Sequence, residues 1–558
     1  LVMYAADDGK NGREVWISDG TAKGTFMIDI NPPVTPVPTQ NDNVQYIADL
    51  FGKVIFTATD GTDKTKGQSG QELWISDGTS AGTKLLKDIY VGTSTTSASQ
   101  SYPYYMCRLG NYVYFRATDG ATGYEVWRTD GTTAGTKLFK DIRAGSSSSS
   151  PYGFTRIKDK IYFYANDGKT GTELWVLDGT AAGTKLVKDI RPGTSSSFPR
   201  DFAQLGVSDS FVFECSDGTN GYEIYISDGT AAGTKLVKDI YPGSSSGYCN
   251  YPQSWGNKVY FQARTAAAGY ELWETDGTPA GTKLVKDINP GTGSGSPSYI
   301  ALQNDMLYMY AYDTTNGYEL WKSDGTAAGT VLYKQFNAGT ASTSPRYITP
   351  VGSRRIYYAA FYGTNNVGTE PFFTDVTTGS SGYWNLNASG SSSPYNFGSG
   401  RNQFCVDSGN VWFRANPNAS STDYRLWRIA NGGTAQSIGR IQDTSFMTAT
   451  DPLIGKNMTV KGATTVKNPL SVLCLGVATN TPTSLGTFVP DSYAYFQLTN
   501  FFWIVGNYPG LAWGSVFPVP NDASLLGDMA VLQAFSLNAL TFPASTEVTN
   551  GIHLTMGK

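Results

Sequence analysis

The sequence predicts an all-β protein: a large β-propeller followed by a small β-sandwich. One observation is a repeated phrase, since "GYELWKSDGTAAGT" at residues 317–330 is written almost identically as "GYELWETDGTPAGT" at residues 269–282. A second is that copies of the phrase recur at intervals of about 50 residues, the length of a four-stranded propeller blade. A third is that no window shows the apolar period of an amphipathic helix.

Each copy of the phrase is marked by an aromatic residue at the same place. These residues are Trp16, Trp74, Trp127, Trp175, Tyr225, Trp273, Trp321, Phe372 and Trp427. The copies around Phe372 and Trp427 are the weakest matches. Nine units in one ring predict nine blades, and eight blades is the alternative if one of the last two copies lies outside the ring.

One unit consists of four predicted strands, as residues 257–304 illustrate. Residues 257–263 and 270–276 are rich in β-branched and aromatic side chains, which is typical of strands. Residues 283–288 predict a third strand and residues 298–304 a fourth. Asp-Gly pairs stand at the turns because both residues tolerate the conformations of tight turns. Because each blade is covered on both faces by its neighbours, its strands carry apolar residues on both sides.

The two ends of the repeat region predict how the ring closes. Residues 1–9, "LVMYAADDG", already match the first strand of the unit, so the strand before them is lacking. Residues 444–450, "TSFMTAT", follow the ninth copy and fill that place. A blade completed from both ends hides the unpaired strand edges of the ring. We therefore expect a propeller over residues 1–440, closed by residues 444–450.

The last part of the chain, residues 441–558, has a different composition. It holds ten charged side chains, and its short apolar runs alternate with Pro, Gly and Asn, which predicts a small β-sandwich. An aromatic run within it comprises Phe501, Phe502, Trp503, Tyr508 and Trp513. Two interpretations of this run stay open: the core of the sandwich, or an apolar patch that docks onto another copy of the chain.

The phrase resembles the ELWxxDGT repeat of large bacterial secreted and surface proteins. The resemblance covers Leu1 to Gly439, and "DGTxAGTxL" is nearly literal in copies two to seven. It implies a propeller-like β-array, export and a cell-surface setting, and it implies no defined reaction. Residues 517–535 are similar to a C-terminal segment of planctomycete and myxobacterial surface proteins.

Composition excludes several classes of function. The formal net charge is −4 and no basic block is present, so nucleic-acid binding lacks its electrostatic footprint. No apolar run reaches the roughly 18 residues of a membrane-spanning helix. The start at Leu1 fits a removed signal peptide as well as an incomplete N-terminus. The five cysteines predict buried thiols, with one bridge possible between Cys215 and Cys249.

The search for catalytic residues gives few candidates. The only histidine is His553, so a Ser–His–Asp triad or a multi-histidine metal site is hard to build. Glutamate recurs before the aromatic residue in eight copies: Glu14, Glu72, Glu125, Glu173, Glu223, Glu271, Glu319 and Glu370. Lysine–aspartate pairs recur in the third strand: Lys87–Asp88, Lys140–Asp141, Lys188–Asp189, Lys238–Asp239 and Lys286–Asp287. Groups repeated in every blade predict structural ion pairs and hydrogen bonds, which leaves Glu214 and Glu274 as the candidates for a carboxylate-based enzyme.

Two further kinds of site are predicted weakly. The turn "DGxxGxE" offers oxygen atoms that could hold Ca²⁺, although a plain hairpin turn explains it as well. Its acidic residues are Asp119, Glu125, Asp167, Glu173, Asp217 and Glu223. Asn387, Asn418 and Asn457 stand in N-glycosylation sequons, and Ser/Thr-rich loops follow the third strand of many units.

These observations together predict a secreted, non-enzymatic structural or adhesive protein. It would assemble into a homo-oligomer or polymer, as a filament, lattice or surface coat, with the C-terminal domain docked onto the next propeller. No cofactor is predicted beyond the weak Ca²⁺ sites. One alternative is a lectin-like propeller that binds glycans through Tyr124, Tyr222, Tyr270 and Tyr318. A glycoside hydrolase or lyase is the second alternative.

Overall fold

A computed structural model describes most of the repeat region and a short part of the rest. The described residues are 2–7, 13–30, 44–61, 64–363, 367–388, 390–394, 404–407, 409–417, 424–430, 435–441, 447–448, 494–498 and 501–505. They contain strands, turns and one short 3-10 turn at Lys64–Lys66, but no α-helix. Within these residues no helix is long and apolar enough to cross a membrane. The chain divides into two compact units, Leu1–Thr450 and Asp451–Lys558.

The first unit contains nine four-stranded antiparallel sheets, which confirms the predicted all-β fold and the nine-bladed propeller. The strands of blades one to three are β1 (Val2–Asp7), β2 (Arg13–Ser18), β3 (Thr25–Ile28), β4 (Gln45–Leu50), β5 (Lys53–Thr59), β6 (Gln71–Ser76), β7 (Lys84–Lys87), β8 (Tyr104–Leu109), β9 (Tyr112–Ala117), β10 (Glu125–Thr129) and β11 (Lys137–Lys140). Those of blades four to six are β12 (Tyr152–Ile157), β13 (Lys160–Asn166), β14 (Thr172–Leu177), β15 (Lys185–Lys188), β16 (Arg200–Gln204), β17 (Phe211–Ser216), β18 (Tyr222–Ser227), β19 (Lys235–Lys238), β20 (Asn250–Trp255), β21 (Lys258–Thr265), β22 (Gly269–Thr275) and β23 (Lys283–Lys286). Those of blades seven to nine are β24 (Ser298–Gln303), β25 (Met306–Asp313), β26 (Gly317–Ser323), β27 (Val331–Lys334), β28 (Arg346–Val351), β29 (Arg355–Tyr362), β30 (Gly368–Asp375), β31 (Ser381–Tyr383), β32 (Cys405–Asp407), β33 (Asn410–Ala415), β34 (Tyr424–Ile429) and β35 (Ala435–Ile441).

The order of strands within a blade differs from the predicted unit. The first strands of successive blades contact one another, as β4 contacts β8, and β24 contacts both β20 and β28. These strands are therefore the innermost ones, and they surround the channel of the propeller. Residues 298–304 were predicted as the last strand of one unit. The structure instead places Ser298–Gln303 as the innermost strand of the following blade.

Blade-to-blade packing explains why the strands are apolar on both faces. Leu73 and Ile75 of the second blade pack with Val113, Phe115 and Trp127 of the third in one hydrophobic cluster. Phe115 is fully buried, and burial of such a side chain stabilises the fold by about 2–3 kcal/mol. Similar clusters join the other described neighbours.

The first blade is completed by strand β36 (Met447–Thr448), which comes from the far end of the repeat region. It pairs antiparallel with β1, with Met3 opposite Thr448 and Tyr4 opposite Met447. Pairing between the two ends of the repeat region covers the edge that β1 would otherwise expose. The other residues of the predicted closing segment lie outside the described residues, and the division of the chain after residue 440 stays a prediction.

The repeated Asp-Gly-Thr turn has a direct physical explanation in the fifth blade. The Asp228 side chain accepts hydrogen bonds from the Thr230 amide at 2.8 Å and the Thr230 hydroxyl at 2.7 Å. Gly229 has a positive φ of 85°, which favours glycine. The Gly233 amide then donates to the Thr230 hydroxyl oxygen at 3.0 Å, which closes the turn between β18 and β19.

The second unit is described only as a hairpin of β37 (Ala494–Leu498) and β38 (Phe501–Val505). Three members of the aromatic run, Phe501, Phe502 and Trp503, belong to the second of these strands. Tyr508 and Trp513 lie outside the described residues, as does most of the predicted sandwich.

Three cysteines of the propeller are not bridged. Cys215 and Cys249 are both buried free thiols, so the bridge considered between them is not formed. Cys107 is a half-buried free thiol, and Cys405 is half-buried.

Candidate functional site

The repeated glutamate holds the connection from one blade to the next. In the fourth blade the buried Glu173 carboxylate accepts hydrogen bonds from the Ile190 amide at 2.9 Å, the Ser197 amide at 2.9 Å and the Ser197 hydroxyl at 2.6 Å. Burial raises the pKa of Glu173 to about 7, although these three donors favour the charged form. Glu72, Glu125 and Glu370 bind their loops in the same way. The side chain is therefore a structural element of the blade.

The lysine–aspartate pairs form hydrogen bonds, as predicted, and none of the predicted ion pairs is found in the described part of the chain. The Lys238 ammonium donates to the Thr282 carbonyl of the next blade at 2.7 Å. Asp239 turns away and accepts from the Gly243 amide at 3.2 Å. Lys87 and Lys188 make the same bond from one blade to the next. The pair thus links neighbouring blades and does not form a site.

The six acidic residues considered for Ca²⁺ are occupied by backbone groups. Asp217 accepts from the Thr219 amide at 2.8 Å and the Asn220 amide at 2.9 Å, and Asp119 and Asp167 cap their turns likewise. Their partners Glu125, Glu173 and Glu223 bind the loops described above. No group of three potential metal-ligating side chains is found among the described residues.

The one glycosylation candidate among the described residues is not at an accessible surface. Asn387 is only 1% exposed, and its side-chain nitrogen donates to the Ser391 carbonyl at 2.9 Å. This position does not allow modification of the folded chain. Asn418 and Asn457 lie outside the described residues, as does His553.

The two candidate carboxylates for an enzyme do not face one cleft. Glu214 lies near the end of β17 and is bound by Arg200 at 2.5 Å. Glu274 lies at the end of β22, on the opposite rim of the propeller from Glu214. It is bound by Lys258 at 3.0 Å and Lys283 at 3.5 Å. A glycosidase needs two carboxyl groups flanking one bond. Their placement in different blades and at opposite rims contradicts that role.

The structure reveals a different site, at the mouth of the channel. We call the rim where the innermost strands begin the loop rim, because the connections between blades cross it. Near this point most innermost strands contain a β-bulge, seen as a register shift after residue 45, 104, 152, 200, 250, 298 or 346. The residue after each of these seven positions has a positive φ. These residues are Tyr46, Tyr105, Gly153, Asp201, Tyr251, Tyr299 and Tyr347.

Five of these seven residues are tyrosines, with φ between 45° and 60°. The left-handed conformation costs an ordinary L-residue roughly 1–2 kcal/mol, and the cost is greater for bulky side chains than for Asn or Asp. Sequence reasoning missed these tyrosines because it assigned the innermost strand to the wrong unit. A signal was present: in blades three, seven and eight the tyrosine follows a proline by two residues, at Pro103, Pro297 and Pro345.

The tyrosines form two aromatic arcs. In the first arc, ring centroids are 5.1 Å apart for Tyr46 and Tyr105 and 4.0 Å apart for Tyr105 and Tyr152. In the second arc, Tyr299 lies 5.9 Å from Tyr251 and 5.7 Å from Tyr347. Because each of these contacts joins adjacent innermost strands, the rings follow the circumference of the channel.

Between the arcs, the fifth blade carries charge in place of aromatic rings. The Nε and Nη2 atoms of Arg200 both donate to one oxygen of the buried Glu214, at 3.0 and 2.5 Å. The other oxygen of Glu214 accepts from the Cys249 amide of the next blade at 2.7 Å. The exposed Asp201 follows Arg200. Burial raises the pKa of Glu214, and the adjacent guanidinium of Arg200 opposes this effect.

One position at the mouth differs between every two neighbouring blades. In the third blade the repeated Glu125 pairs with the small residue Ala117 on the neighbouring strand, and the position meant is the one before it, Arg116. Around the ring this position is Ala5, Thr57, Arg116, Tyr164, Glu214, Gln262, Tyr310, Ala359 and Arg414. The scaffold is repeated, whereas six residue types occupy these nine mouth positions.

The four tyrosines considered as glycan platforms pack behind this mouth. Tyr124 lies against the guanidinium of Arg116 at 4.9 Å, and Tyr222 against that of Arg200 at 4.5 Å. Tyr318 stacks on Tyr310 at 4.7 Å. All four are half-buried and support the side chains in front of them.

Comparison with known proteins finds distant structural matches. No family model and no curated protein matches the chain. Solved structures that match include a prolyl endopeptidase, at 14% identity and a TM-score of 0.35, covering 61% of this chain and 49% of that one. A puromycin hydrolase matches at 13% identity and a TM-score of 0.36, covering 70% of this chain and 61% of that one. A Mycobacterium tuberculosis puromycin-hydrolyzing peptidase matches at 11% identity and a TM-score of 0.36, covering 61% of this chain and 53% of that one.

The function predicted from the sequence is corrected by this comparison. A non-enzymatic structural or adhesive protein that forms filaments, lattices or coats is contradicted, because the matched structures are enzymes. The match spans about half to three fifths of those chains. It is too distant to carry their activity to this chain, whose all-β propeller is shown by its own nine sheets.

Proposed function

We propose that the propeller binds an extended, ring-bearing ligand at the loop-rim mouth of its channel, and that this ligand is a proline-rich peptide segment. The observation that carries the proposal is the set of five tyrosines held at positive φ on the innermost strands. Backbone strain of this kind persists where the surrounding fold enforces it, and it is concentrated at binding and active sites.

The polarity of the mouth favours a ligand that offers acceptors. Tyrosine hydroxyls and the guanidinium groups of Arg116 and Arg346 supply mostly donors. A proline-rich segment offers carbonyl oxygens and lacks the N–H of ordinary residues, so few of its own donors would be left unpaired. Its stiff polyproline II conformation also reduces the entropy lost on binding.

The shape of the mouth supports the same ligand class. Aromatic-lined grooves receive polyproline II segments by packing pyrrolidine rings against flat side chains. The exposed edges of Tyr152 and Tyr251, which are 41% and 36% accessible, provide such surfaces in the two arcs.

Fluorescence anisotropy with a labelled proline-rich peptide tests the proposal. A Gly/Ser peptide of equal length and charge is the ligand control. Tyr299→Ala removes a central ring of the second arc and should weaken binding about tenfold, the effect of losing about 1.4 kcal/mol. Tyr112→Ala is the matched control, because Tyr112 begins β9 at the opposite rim. Equal binding of the two peptides, or equal losses in the two variants, would contradict the proposal.

A further inference from the structure

We infer that Arg116 and the tyrosines around it form an anion-binding site that accepts a carboxylate carried next to a flat ring. The site lies in the first aromatic arc, and its part in ligand recognition rests on the proposed function. Its chemistry stands on separate observations and is tested with separate ligands.

The Arg116 guanidinium is surrounded by aromatic rings. Its central carbon lies 4.9 Å from the ring centroid of Tyr124, 5.0 Å from that of Tyr105 and 5.4 Å from that of Tyr104. Strand β9 fixes the side chain at this place, since Arg116 pairs with Tyr104 on the innermost strand. Rings on several sides fix the direction of the charge by cation–π contact.

The charge of Arg116 is not neutralised within the part of the chain that the structure describes. No carboxylate there forms an ion pair with it, although six such pairs are found elsewhere. Its Nε atom is buried and has no hydrogen-bond partner among the described residues. A buried donor without a partner costs about 1–3 kcal/mol, and an anionic ligand would remove that cost.

Two other arginines of the loop rim have hydrogen-bond partners for their Nε atoms. Arg200 donates twice to Glu214. Arg264 also lies among three tyrosine rings, at 5.3 to 5.4 Å, but its Nε donates to the Ser246 carbonyl at 2.9 Å. Aromatic surroundings alone therefore do not leave an arginine unpaired, and Arg116 differs from its closest counterpart in this respect.

Hydroxyl groups complete the site. The Tyr105 ring lies between those of Tyr46 and Tyr152, with ring centroids 5.1 and 4.0 Å away, so the three phenols are neighbours at this place. Burial raises the pKa of all three phenols, so they stay protonated and remain donors at neutral pH. Donors, a fixed cation and flat walls select an anionic group attached to a ring, whereas a cationic ligand would be repelled.

Benzoate and its uncharged analogue benzamide are suitable probes, and saturation-transfer NMR with titration gives their affinities. We expect benzoate to bind at least about tenfold more tightly than benzamide, the effect of one charge-assisted bond. Arg116→Gln should abolish this preference, and Arg116→Lys should retain part of it because the charge remains. Arg264→Gln is the matched control and should keep the preference. Thermal unfolding of each variant establishes that it is folded.

Each outcome decides the inference. Equal binding of benzoate and benzamide to the unchanged protein overturns it, and so does an equal loss of preference in Arg264→Gln. The proline-rich peptide is titrated into the same variants. If benzoate binds through Arg116 while the peptide does not bind, the anion site stands and the proposed function fails. If the peptide binds but the protein binds benzoate and benzamide equally, the proposed function stands and the anion site fails.

Discussion

Glu173→Gln should change how the stability of the loop rim depends on pH. Burial raises the pKa of Glu173 from 4.5 to about 7, so the folded state holds a proton that the unfolded chain releases. A raised pKa of this kind stabilises the fold below about pH 4.5, and the stabilisation is lost as the pH rises through about 7. One pKa unit corresponds to 1.36 kcal/mol, and integrating the titration from about pH 5 to about pH 8.5 gives a loss of about 2.5 kcal/mol. Glutamine does not titrate, so its blade should show no such loss.

Hydrogen exchange of residues 190–198, read by mass spectrometry as protection factors, provides the assay. This segment contains the Ile190 and Ser197 amides that donate to Glu173. In the unchanged protein its protection should fall about seventyfold between the two pH values, which is about 2.5 kcal/mol. In Glu173→Gln it should stay constant, while residues 288–295, held by the intact Glu271, should still lose protection. Loss of protection at residues 190–198 in the variant would show that another group titrates and would refute the reasoning.

Three more outcomes are expected. A chain ending at residue 440 lacks Met447–Thr448 and exposes the edge of β1, so it should aggregate in size-exclusion chromatography, whereas a chain ending at residue 455 should elute as a single soluble species. Lys238→Met removes the bond to the Thr282 carbonyl and should lower the free energy of unfolding by about 1 kcal/mol, whereas the exposed Lys235→Met should not; equal values would show that the bond between blades contributes nothing. Cys215 and Cys249 should resist alkylation in the folded protein and react in urea, because burial raises the pKa of both thiols and excludes the reagent; rapid reaction of either in the native protein would contradict their burial.

The fold could be predicted because each blade repeats the same packing problem. Trp175 and Glu173 recur at equivalent places since every blade must cover two faces and hold one loop, and these needs leave a clear pattern in the sequence. The start of the blade could not be predicted in the same way. In a periodic sequence any of the four strands can be taken as the first, and only the contacts between innermost strands decide the choice.

The candidate site could not be predicted from residue types alone. Tyr299 looks like an ordinary strand residue, and its positive φ arises from a bulge that becomes visible only when β24 is paired with β25. Glu214 was recognised as unusual because it breaks the repeat, but its partner Arg200 lies 14 residues earlier, on a strand assigned to another unit. The sequence does not single out Arg116, because a single arginine in a strand carries no motif. That no carboxylate of the described residues pairs with it is a property of the folded ring.

The contrast between neighbouring positions in one strand locates the functional surface. Ala117 and Arg116 are adjacent in β9, and both lie near the loop rim. The first faces the repeated Glu125 and is small in nearly every blade, because a larger side chain would displace the buried carboxylate. The second ranges from alanine to tyrosine, arginine and glutamate around the ring. If the mouth only packed against itself, equivalent surroundings would favour equivalent residues there too. A position that changes from blade to blade beside residues that stay the same instead fits a ligand that is not nine-fold symmetric. Such a ligand would bind at the mouth and not at the repeated turns.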